Sequence, residues 1–513
     1  MLVLLVVGAL PALGRAAPEP AAATPDAIAA LLRGDGDLRI AKRSLDRVEL
    51  LSLYEPRQFA PIWTAERQAA LTAALAEAES HGLDRASYGM PEAPAAEREL
   101  LLTDTFLRYA AALAHGRVAP AEIESDWTMS SPAFDPAKVL ARALDGSVAG
   151  SLAALAPSDP AYERLRQALA RYRDYAAASR WRPLALTVPM KLGDSGDGVD
   201  ALRERLAAEG FAAGAGDGFD DALAAAVKRF QAAHGLGDDG AVGRATLAAL
   251  NVTPAARVKE IKLNLERWRS LPRNWPETRV EVNVPSATAT LYEPGEAPLA
   301  MHAIVGAPQH PTPVLRARMT SILLNPPWKV PSSIIENEIR PALKRDKKYL
   351  EHNDFVYVEV EGGRELQQLP GPKNALGMLK FEMPNPDDIY LHDTPARTLF
   401  RRAGRAMSHG CIRLEHPRAL AERVLEGAPD WPRAALDDAI ATGATQRIAL
   451  PHAVPVYIVY FTAIADEDGT VEFDSDVYGR DRRLAAALDA GAEAPPRPTA
   501  KAVLTKHLST AAQ

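Results

Sequence analysis

The segment Arg279-Val-Glu-Val-Asn-Val284 marks a change of secondary structure along the chain. Its three valines alternate with polar residues, and a period of two predicts a β-strand with one buried face. The same alternation, with Pro- and Gly-rich turns between the segments, predicts further strands at 299–305, 319–324, 355–360 and 456–461. We therefore expect a mostly β domain over residues 279–480.

The residues before this segment predict helices instead. Between residues 26 and 186 apolar side chains recur at helical spacing, as in 69–80 and 100–115, and Gly and Pro interrupt the pattern. This stretch is predicted to be an all-helical scaffold domain. The chain as a whole is predicted to be a multidomain α+β protein, and its 513 residues agree with this because one compact core rarely exceeds about 250–300 residues.

Short amphipathic helices are predicted between residues 188 and 252. Two apolar stripes have helical spacing, one at Val199, Leu202 and Leu206 and one at Leu223, Val227 and Phe230. A further short helix is predicted at 243–250, and the set would form a minimal bundle. Residues 253–278 are then predicted to be a linking helix.

Composition excludes several classes of protein. Hydrophobic residues make up 47% and charged residues 24% of the chain, which is typical of globular proteins. The 59 Lys and Arg against 66 Asp and Glu give a net charge of −7 without a long block of either sign, which argues against a nucleic-acid-binding surface. The single cysteine, Cys411, excludes an intramolecular disulfide and a Cys-rich metal site.

The two ends of the chain differ from its middle. Met1–Leu10 is apolar and is followed by small residues, and it is shorter than the ~20 residues that cross a bilayer. We expect a signal peptide over residues 1–17, with a buried N-terminal strand as the alternative, and no stable membrane span after cleavage. Residues 481–513 have little pattern and are predicted to be a partly disordered tail.

The candidate catalytic residues lie in two short motifs. Ser408-His-Gly-Cys411 contains the cysteine, and His392 precedes that cysteine by 19 residues. A thiol with an ordinary pKa of about 8.5 is mostly protonated at neutral pH, so a nearby imidazole is needed to take its proton. Gly410 permits a tight turn whose backbone N–H groups can form an oxyanion hole. Together these residues predict acyl transfer by a Cys–His pair.

Two other interpretations stay open on the residues alone. A zinc site built from His392, His409 and Cys411 has suitable ligand types, although no fourth ligand is evident. Alternatively, the cysteine and both histidines are structural, since free Cys is among the most buried residue types.

The order and spacing of the motifs resemble the L,D-transpeptidases, the YkuD family. The signature of that family is a His, about fifteen residues, and then Ser/Thr-His-Gly-Cys, and fifteen residues separate His392 from Ser408 here. The segments Asn325–Ser333, Lys380-Phe381 and Val454–Thr462 also look like those of the large periplasmic members, which carry a helical scaffold. Residues 188–252 resemble the peptidoglycan-binding type 1 domain.

The resemblance implies a cysteine acyl-enzyme. Cys411 would attack the third residue, a diamino acid, of a donor stem tetrapeptide, and the amine of a second stem would then form a cross-link. His392 is implied as the general base, with the backbone carbonyl of Asp393 fixing its tautomer, and Ser408, His409 and Gly410 would shape the turn and the oxyanion hole. Arg413 stands where some members have Asn, and would hold local structure or an anionic group of the substrate. The residues implied to bind substrate are Ser408, Arg413, Tyr390, Trp328 and Asn325.

The implied partners are peptidoglycan stem peptides and glycan strands, together with other cell-wall synthesis proteins. No metal, cofactor or nucleic acid is implied, and the expected location is the periplasm of a Gram-negative bacterium, with a role in cell shape. Residues 332–379 are predicted to form a mobile lid over Cys411, because an insertion of that length in a compact β domain is often a lid or binding loop. Two alternatives are an L,D-carboxypeptidase or amidohydrolase on the same fold and a non-catalytic peptidoglycan-binding scaffold.

Overall fold

The computed structural model describes residues 22–178, 181, 183–186, 189–216 and 218–490. The predicted signal peptide lies outside the described residues, as does the predicted tail beyond residue 490. The chain divides into two compact units. The first contains the residues up to 77 together with 84–110 and 135–153, and the second contains 78–83, 111–134 and the residues from 154 onward.

The predicted multidomain α+β class is confirmed, with 43% helix and 18% strand. The helices are Pro25–Arg33 (α1), Arg47–Tyr54 (α2), Ala65–Ala76 (α3), Ala95–His115 (α4), Pro120–Ile123 (α5), Pro136–Asp145 (α6), Val148–Ala153 (α7), Pro160–Ala177 (α8), Asp197–Ala208 (α9), Asp221–Ala233 (α10), Arg244–Leu250 (α11), Pro254–Ser270 (α12), Ser332–Ile334 (α13), Arg340–Arg345 (α14), Tyr349–His352 (α15), Pro417–Val424 (α16), Arg433–Ala441 (α17) and Arg480–Ala490 (α18). Among the residues described, none of these helices is both long and apolar enough to cross a membrane.

The strands lie almost entirely after residue 279. They are Leu38–Ile40 (β1), Arg43–Leu45 (β2), Arg279–Asn283 (β3), Thr288–Tyr292 (β4), Leu299–Gly306 (β5), Leu315–Leu324 (β6), Trp328–Lys329 (β7), Phe355–Val360 (β8), Gly363–Gln368 (β9), Leu379–Glu382 (β10), Leu391–His392 (β11), Ala406–Ser408 (β12), Ile412–Leu414 (β13), Gln446–Val459 (β14), Ala463–Ala465 (β15) and Val471–Phe473 (β16).

A short hairpin departs from the all-helical prediction for the N-terminal region. Strands β1 and β2 pair antiparallel through the turn residues Ala41 and Lys42, whose φ angles are 46° and 67°. Two positive φ angles are the geometry of the tight turns that match the twist of a hairpin. Leu38, Ile40 and Leu45 are buried within the first unit. The strands are therefore stabilised by tertiary packing, which a search for helical periodicity does not detect.

The helices predicted between residues 188 and 252 are present as α9, α10 and α11. The predicted apolar stripes form their shared core, in which Val199, Leu202, Leu206, Leu223, Val227 and Phe230 are each at most 1% exposed. The following helix α12 begins after its N-cap Thr253 and ends at Ser270 rather than at 278. Pro272 and Pro276 account for the earlier end, because proline lacks the N–H that a helix interior requires.

The second unit is built on one large sheet. Within the described residues its strand order is β12-β5-β13-β11-β10-β6-β14-β3-β4, and an additional pairing of β4 with β5 closes the sheet on itself. The inward-facing side chains form the largest core, and Val282, Ile322, Phe381, Leu391 and Ile412 in it are fully buried. This arrangement places the two predicted catalytic motifs on neighbouring strands.

Residues 328–368, which we call the cap segment, fold as a small subdomain of the second unit. In the described chain, strands β7, β9 and β8 form a separate sheet in that order, and short helices and a π-helical turn at Ile335–Ile339 complete the segment. The cap segment has its own core of Val330, Ile334, Ile339, Phe355 and Leu366. It overlaps most of the stretch predicted to be a lid.

The chain continues as a regular helix where a tail was predicted from residue 481. Helix α18 begins at Arg480, whose side chain is 1% exposed and lies 2.8 Å from the Glu124 carboxylate. Leu484 and Ala485 pack against Leu263 of α12. The apolar residues of this helix are mostly alanine, and an ion pair helps to hold it, so its apolar pattern is weak in the sequence.

Candidate active site

Strand pairing brings the two motifs together. Strands β11 and β13 run parallel, with His392 opposite Arg413 and Leu391 opposite Ile412. Leu391 and Ile412 face the core and are fully buried, and side chains alternate along a strand. His392 and Arg413 therefore lie on the opposite face of the sheet. Cys411 immediately precedes β13, and its thiol interacts with Tyr390, the residue just before β11.

The cysteine sits in a turn that a network of hydrogen bonds holds in place. Gly410 has a φ of 115°, which L side chains rarely adopt. The Gly410 N–H donates to Ser408 Oγ at 3.2 Å, and Ser408 Oγ donates to the Cys411 carbonyl at 2.6 Å. Thr312 Oγ1 donates to the Gly410 carbonyl at 2.7 Å and accepts the Gly306 N–H at 2.8 Å. The turn is thus fixed from both sides.

The backbone carbonyl of Asp393 orients His392. The imidazole is 4% exposed, and its Nδ1 lies 2.6 Å from this carbonyl oxygen. A carbonyl only accepts hydrogen bonds, so Nδ1 carries a proton, and the backbone of Leu376 also hydrogen-bonds with the ring. Burial, together with the nearby Arg413 cation, lowers the pKa of His392 to about 3. The ring is therefore neutral near pH 7.

The Cys411 thiol is protonated in the resting site. Burial raises its pKa, while hydrogen bonding to Tyr390 and the charges of Lys380 and Arg413 oppose that rise. The thiol sulfur lies 3.8 Å from the Asp388 carbonyl, to which it can donate. A thiol beside a neutral imidazole can transfer its proton when a substrate carbonyl is attacked.

The Asp393 side chain has a structural role. Its Oδ2 accepts the Met378 N–H at 2.9 Å, and its Oδ1 lies 2.8 Å from the Arg397 guanidinium. Gly377 makes room for this carboxylate, because a Cβ there would be 2.3 Å from Oδ2. The carboxylate therefore fixes the strand end from which the Asp393 carbonyl reaches His392.

His409 contacts the cap segment. Its Nε2 lies 2.8 Å from Glu338 Oε1, and its ring centroid is 4.9 Å from that of His310. No three His, Cys, Asp or Glu side chains of the described residues are grouped in a way that could hold a metal ion. The zinc interpretation requires His392, His409 and Cys411 to converge. They do not form such a group, and His409 has Glu338 as its partner instead.

Tyr390 lies at the thiol and Trp328 contacts Tyr390, whereas Asn325 is engaged elsewhere. The Tyr390 ring centroid is 5.6 Å from that of His392, and burial with the adjacent thiol raises the pKa of its hydroxyl, which also hydrogen-bonds with Trp328. Asn325 is 2% exposed, and its amide donates to the carbonyls of Ile440 and Ala444, at 3.1 Å each. The Asn325 side chain therefore binds the end of α17 and the loop after it, and is not available to a ligand at Cys411.

Three residues with direct effects on the site were not among the predicted site residues. Lys380 lies opposite His392 in the pairing of β10 with β11, Glu338 binds His409, and Thr312 holds the Gly410 carbonyl. Lys380 belongs to the family-like segment Lys380-Phe381, which was a usable signal. Glu338 has no sequence signal, because its partner is 71 residues further along the chain.

Comparison with known proteins agrees with this geometry. Residues 277–431, which hold both motifs, match the family model described as "L,D-transpeptidase catalytic domain". The chain carries an L,D-transpeptidase catalytic domain. Two further family models match, "Scaffold domain" at 48–169 and "Putative peptidoglycan binding domain" at 195–250.

Individual relatives of this L,D-transpeptidase domain cover part of the chain. A curated protein of Haemophilus influenzae named "Putative L,D-transpeptidase" is 31% identical over 243 residues, which are 44% of this chain and 49% of that protein. The chain thus matches about half the length of that relative.

Two solved structures are similar at lower identity. An L,D-transpeptidase from Mycobacterium smegmatis is 16% identical with a TM-score of 0.21, over 36% of this chain and 58% of that one. An L,D-transpeptidase from Xylanimonas cellulosilytica is 17% identical with a TM-score of 0.19, over 54% of this chain and 99% of that one.

Proposed function

We propose that this protein is a cysteine-dependent peptidoglycan L,D-transpeptidase that joins the third-position diamino acids of two stem peptides. The observation that carries the proposal is the parallel pairing of β11 with β13. It brings a neutral histidine beside the turn that holds the one cysteine of the chain, and both side chains have Lys380 and Arg413 as charged neighbours.

The reaction follows from these groups. His392 Nε2 takes the thiol proton while Cys411 Sγ adds to the carbonyl of the third residue of the donor stem. The bond to the fourth residue then breaks, His392 returns the proton to the leaving amine, and a thioester remains. The side-chain amine of a second stem attacks the thioester and loses a proton to His392, which gives the cross-link and regenerates the thiol.

The oxyanion formed in each step needs hydrogen-bond donors. The Gly410 N–H already donates to Ser408, whereas within the described residues the Cys411 N–H has no acceptor. This N–H belongs to the turn held by Ser408 and Thr312, so it is fixed before the substrate arrives. Preorganised donors of this kind are often the largest contribution to acyl-transfer catalysis.

The other parts of the chain fit the same substrate. The module at 195–250 would hold the enzyme on glycan strands, and the cap segment would cover the acyl-enzyme and exclude water, which favours an amine acceptor over hydrolysis. Its Trp328 and Glu338 already contact Tyr390 and His409. Such a substrate places the protein outside the cytoplasm, in the periplasm of a Gram-negative bacterium, beside other cell-wall synthesis proteins.

Mass spectrometry of stem tetrapeptides incubated with the full-length protein tests the proposal. We expect cross-linked dimers and an acyl adduct on Cys411, and we expect neither with Cys411→Ala, whose thermal unfolding should match that of the wild type. Trimmed monomers without dimers would make the protein an L,D-carboxypeptidase. Unchanged peptides would reduce it to a peptidoglycan-binding scaffold.

A further inference from the structure

Two cations flank the candidate base on the open face of the sheet. Lys380 is paired with His392 on one side, and Arg413 is paired with it on the other. Directly paired residues of neighbouring strands point to the same face, so the three side chains form a row across β10, β11 and β13. Lys380 Nζ also lies 4.1 Å from the centroid of the Tyr390 ring.

Neither cation has an acidic partner. In the part of the chain that the structure describes, no carboxylate lies within 4.0 Å of the Lys380 or Arg413 charged nitrogens, and Arg413 Nε is buried without a hydrogen-bond partner. Both side chains are only partly buried, so their charges are within reach of a ligand from solvent. A ligand carrying a negative charge would form charge-assisted hydrogen bonds with both cations.

The nearby carboxylates are engaged elsewhere. Glu338 is bound to His409, and Asp393 to Arg397. Glu382, the carboxylate two residues beyond Lys380, lies 2.7 Å from the Arg447 guanidinium and accepts Ser321 Oγ at 2.7 Å. Glu338 and Glu382 act on Arg413 and Lys380 only without direct contact, so each cation can still take a directly bound anionic partner.

We propose that Lys380 and Arg413 form a two-cation subsite that binds a carboxylate of the donor stem. This deepens the proposed function and rests on it for the identity of the donor. A carbonyl held at Cys411 Sγ has the terminal carboxylate of the stem one residue further on, and consecutive α-carbons are about 3.8 Å apart. A side-chain carboxylate on the third residue, where the diamino acid has one, would lie at a similar distance.

Binding measured without turnover tests the subsite. The titrations use full-length Cys411→Ala and three tetrapeptides: the free acid, the terminal amide, and the peptide amidated at the third side chain. We expect the free acid to bind at least about tenfold more tightly than one of the two amides, and the weaker amide identifies which carboxylate is bound. Adding Lys380→Met or Arg413→Met should bring this ratio close to one.

Three further variants serve as controls. Lys329→Met, added to Cys411→Ala, removes a lysine that is paired with Glu365 on the cap segment, and should keep the ratio. Lys380→Arg preserves the charge and should restore most of the preference, which a loss of folding would not allow. Equal affinities for all three peptides, or a ratio that survives both methionine variants, would overturn the subsite. Carboxylate-dependent binding without wild-type turnover would overturn the transpeptidase proposal and leave the subsite standing.

Discussion

Nε2 of His409 lies 2.8 Å from Oε1 of Glu338, so the cap segment touches the residue two positions before the cysteine. Both side chains are partly exposed, at 39% and 53%, and such ion pairs contribute about 0–1 kcal/mol. A contact this weak can open and close during a catalytic cycle. It gives the predicted lid a specific point of attachment to the site.

Glu338→Gln should loosen the cap segment. Removing the carboxylate leaves His409 without its partner. We therefore expect faster hydrogen exchange over the predicted lid, residues 332–379, and little change in the nine-stranded sheet. Glu336→Gln is a matched control, because Glu336 pairs with Arg340 inside the same segment. Acylation of Cys411 in the wild type should slow exchange over the same residues. Equal exchange in free, acylated and Glu338→Gln protein would argue against a lid.

His392→Ala should reduce acyl transfer far more than His409→Ala. His392 is buried and held by the Asp393 carbonyl, and removing a general base costs about 10²- to 10⁴-fold. His409 is committed to Glu338, so its loss should mainly affect cap closure. Single-turnover acylation rates for the two variants provide the measurement, and a larger loss in His409→Ala would reverse the two roles.

The pH dependence of thiol alkylation reports the resting state of the pair. Cys411 is the single cysteine, so alkylation of the intact protein monitors that site alone. Burial raises the thiol pKa and lowers the imidazole pKa to about 3, so we expect a rate that rises steadily with pH through the neutral range. Arg413→Met should move the rise to higher pH. Rapid alkylation that persists down to pH 5 would instead indicate a preformed thiolate–imidazolium pair.

The lowered pKa of His392 also has a consequence for stability. Below its ordinary pKa of about 6.5 the unfolded state binds a proton that the folded state refuses until about pH 3. The wild type should therefore lose stability as the pH falls from 6.5 toward 3, and His392→Gln should lose less over that window. Thermal unfolding of both proteins at several pH values measures the difference, which would be absent if His392 were protonated in the folded protein.

Local patterns in the sequence were enough to predict the strands and the helical module, because alternation and helical spacing are local properties. The motif around Cys411 could be recognised for the same reason, whereas the contact of His392 with the Asp393 carbonyl was implied by the family resemblance. The partners of Lys380 and Glu338 could not, because they depend on the register of β10 with β11 and on the fold of the cap segment. Asn325 was predicted to bind substrate because it lies in a family-like segment. Its side chain is instead buried against residues more than 100 positions further along the chain, which the local sequence does not reveal.

A buried carboxylate of the 195–250 module, Glu209, links the module to helix α8. Glu209 lies 2.8 Å from the Arg205 guanidinium and accepts the Tyr172 hydroxyl of α8 at 2.9 Å. Burial alone would raise the pKa of Glu209, but His234 and Arg205 lower it to about 2, so the carboxylate is charged near pH 7. Deleting the module would remove Glu209 from the Tyr172 hydroxyl. We therefore expect the deletion to destabilise the rest of the second unit as well as abolish glycan binding.

Glu209→Gln should destabilise the second unit by about 3–5 kcal/mol, because it leaves Arg205 buried without its counter-charge. Glu163→Gln, which breaks an exposed ion pair with Arg166, should cost less than about 1 kcal/mol and is the matched control.

The stability difference between wild type and Glu209→Gln should depend on pH. It should be at its full size above pH 4.5 and shrink as the pH falls toward 2, because over this range the unfolded wild type binds a proton at Glu209 more readily than the folded protein does. Thermal unfolding of the three proteins across this range measures it. Equal stability of wild type and Glu209→Gln at pH 7 would mean that the module is held by its apolar contacts alone, and its deletion would then be a fair test of glycan binding.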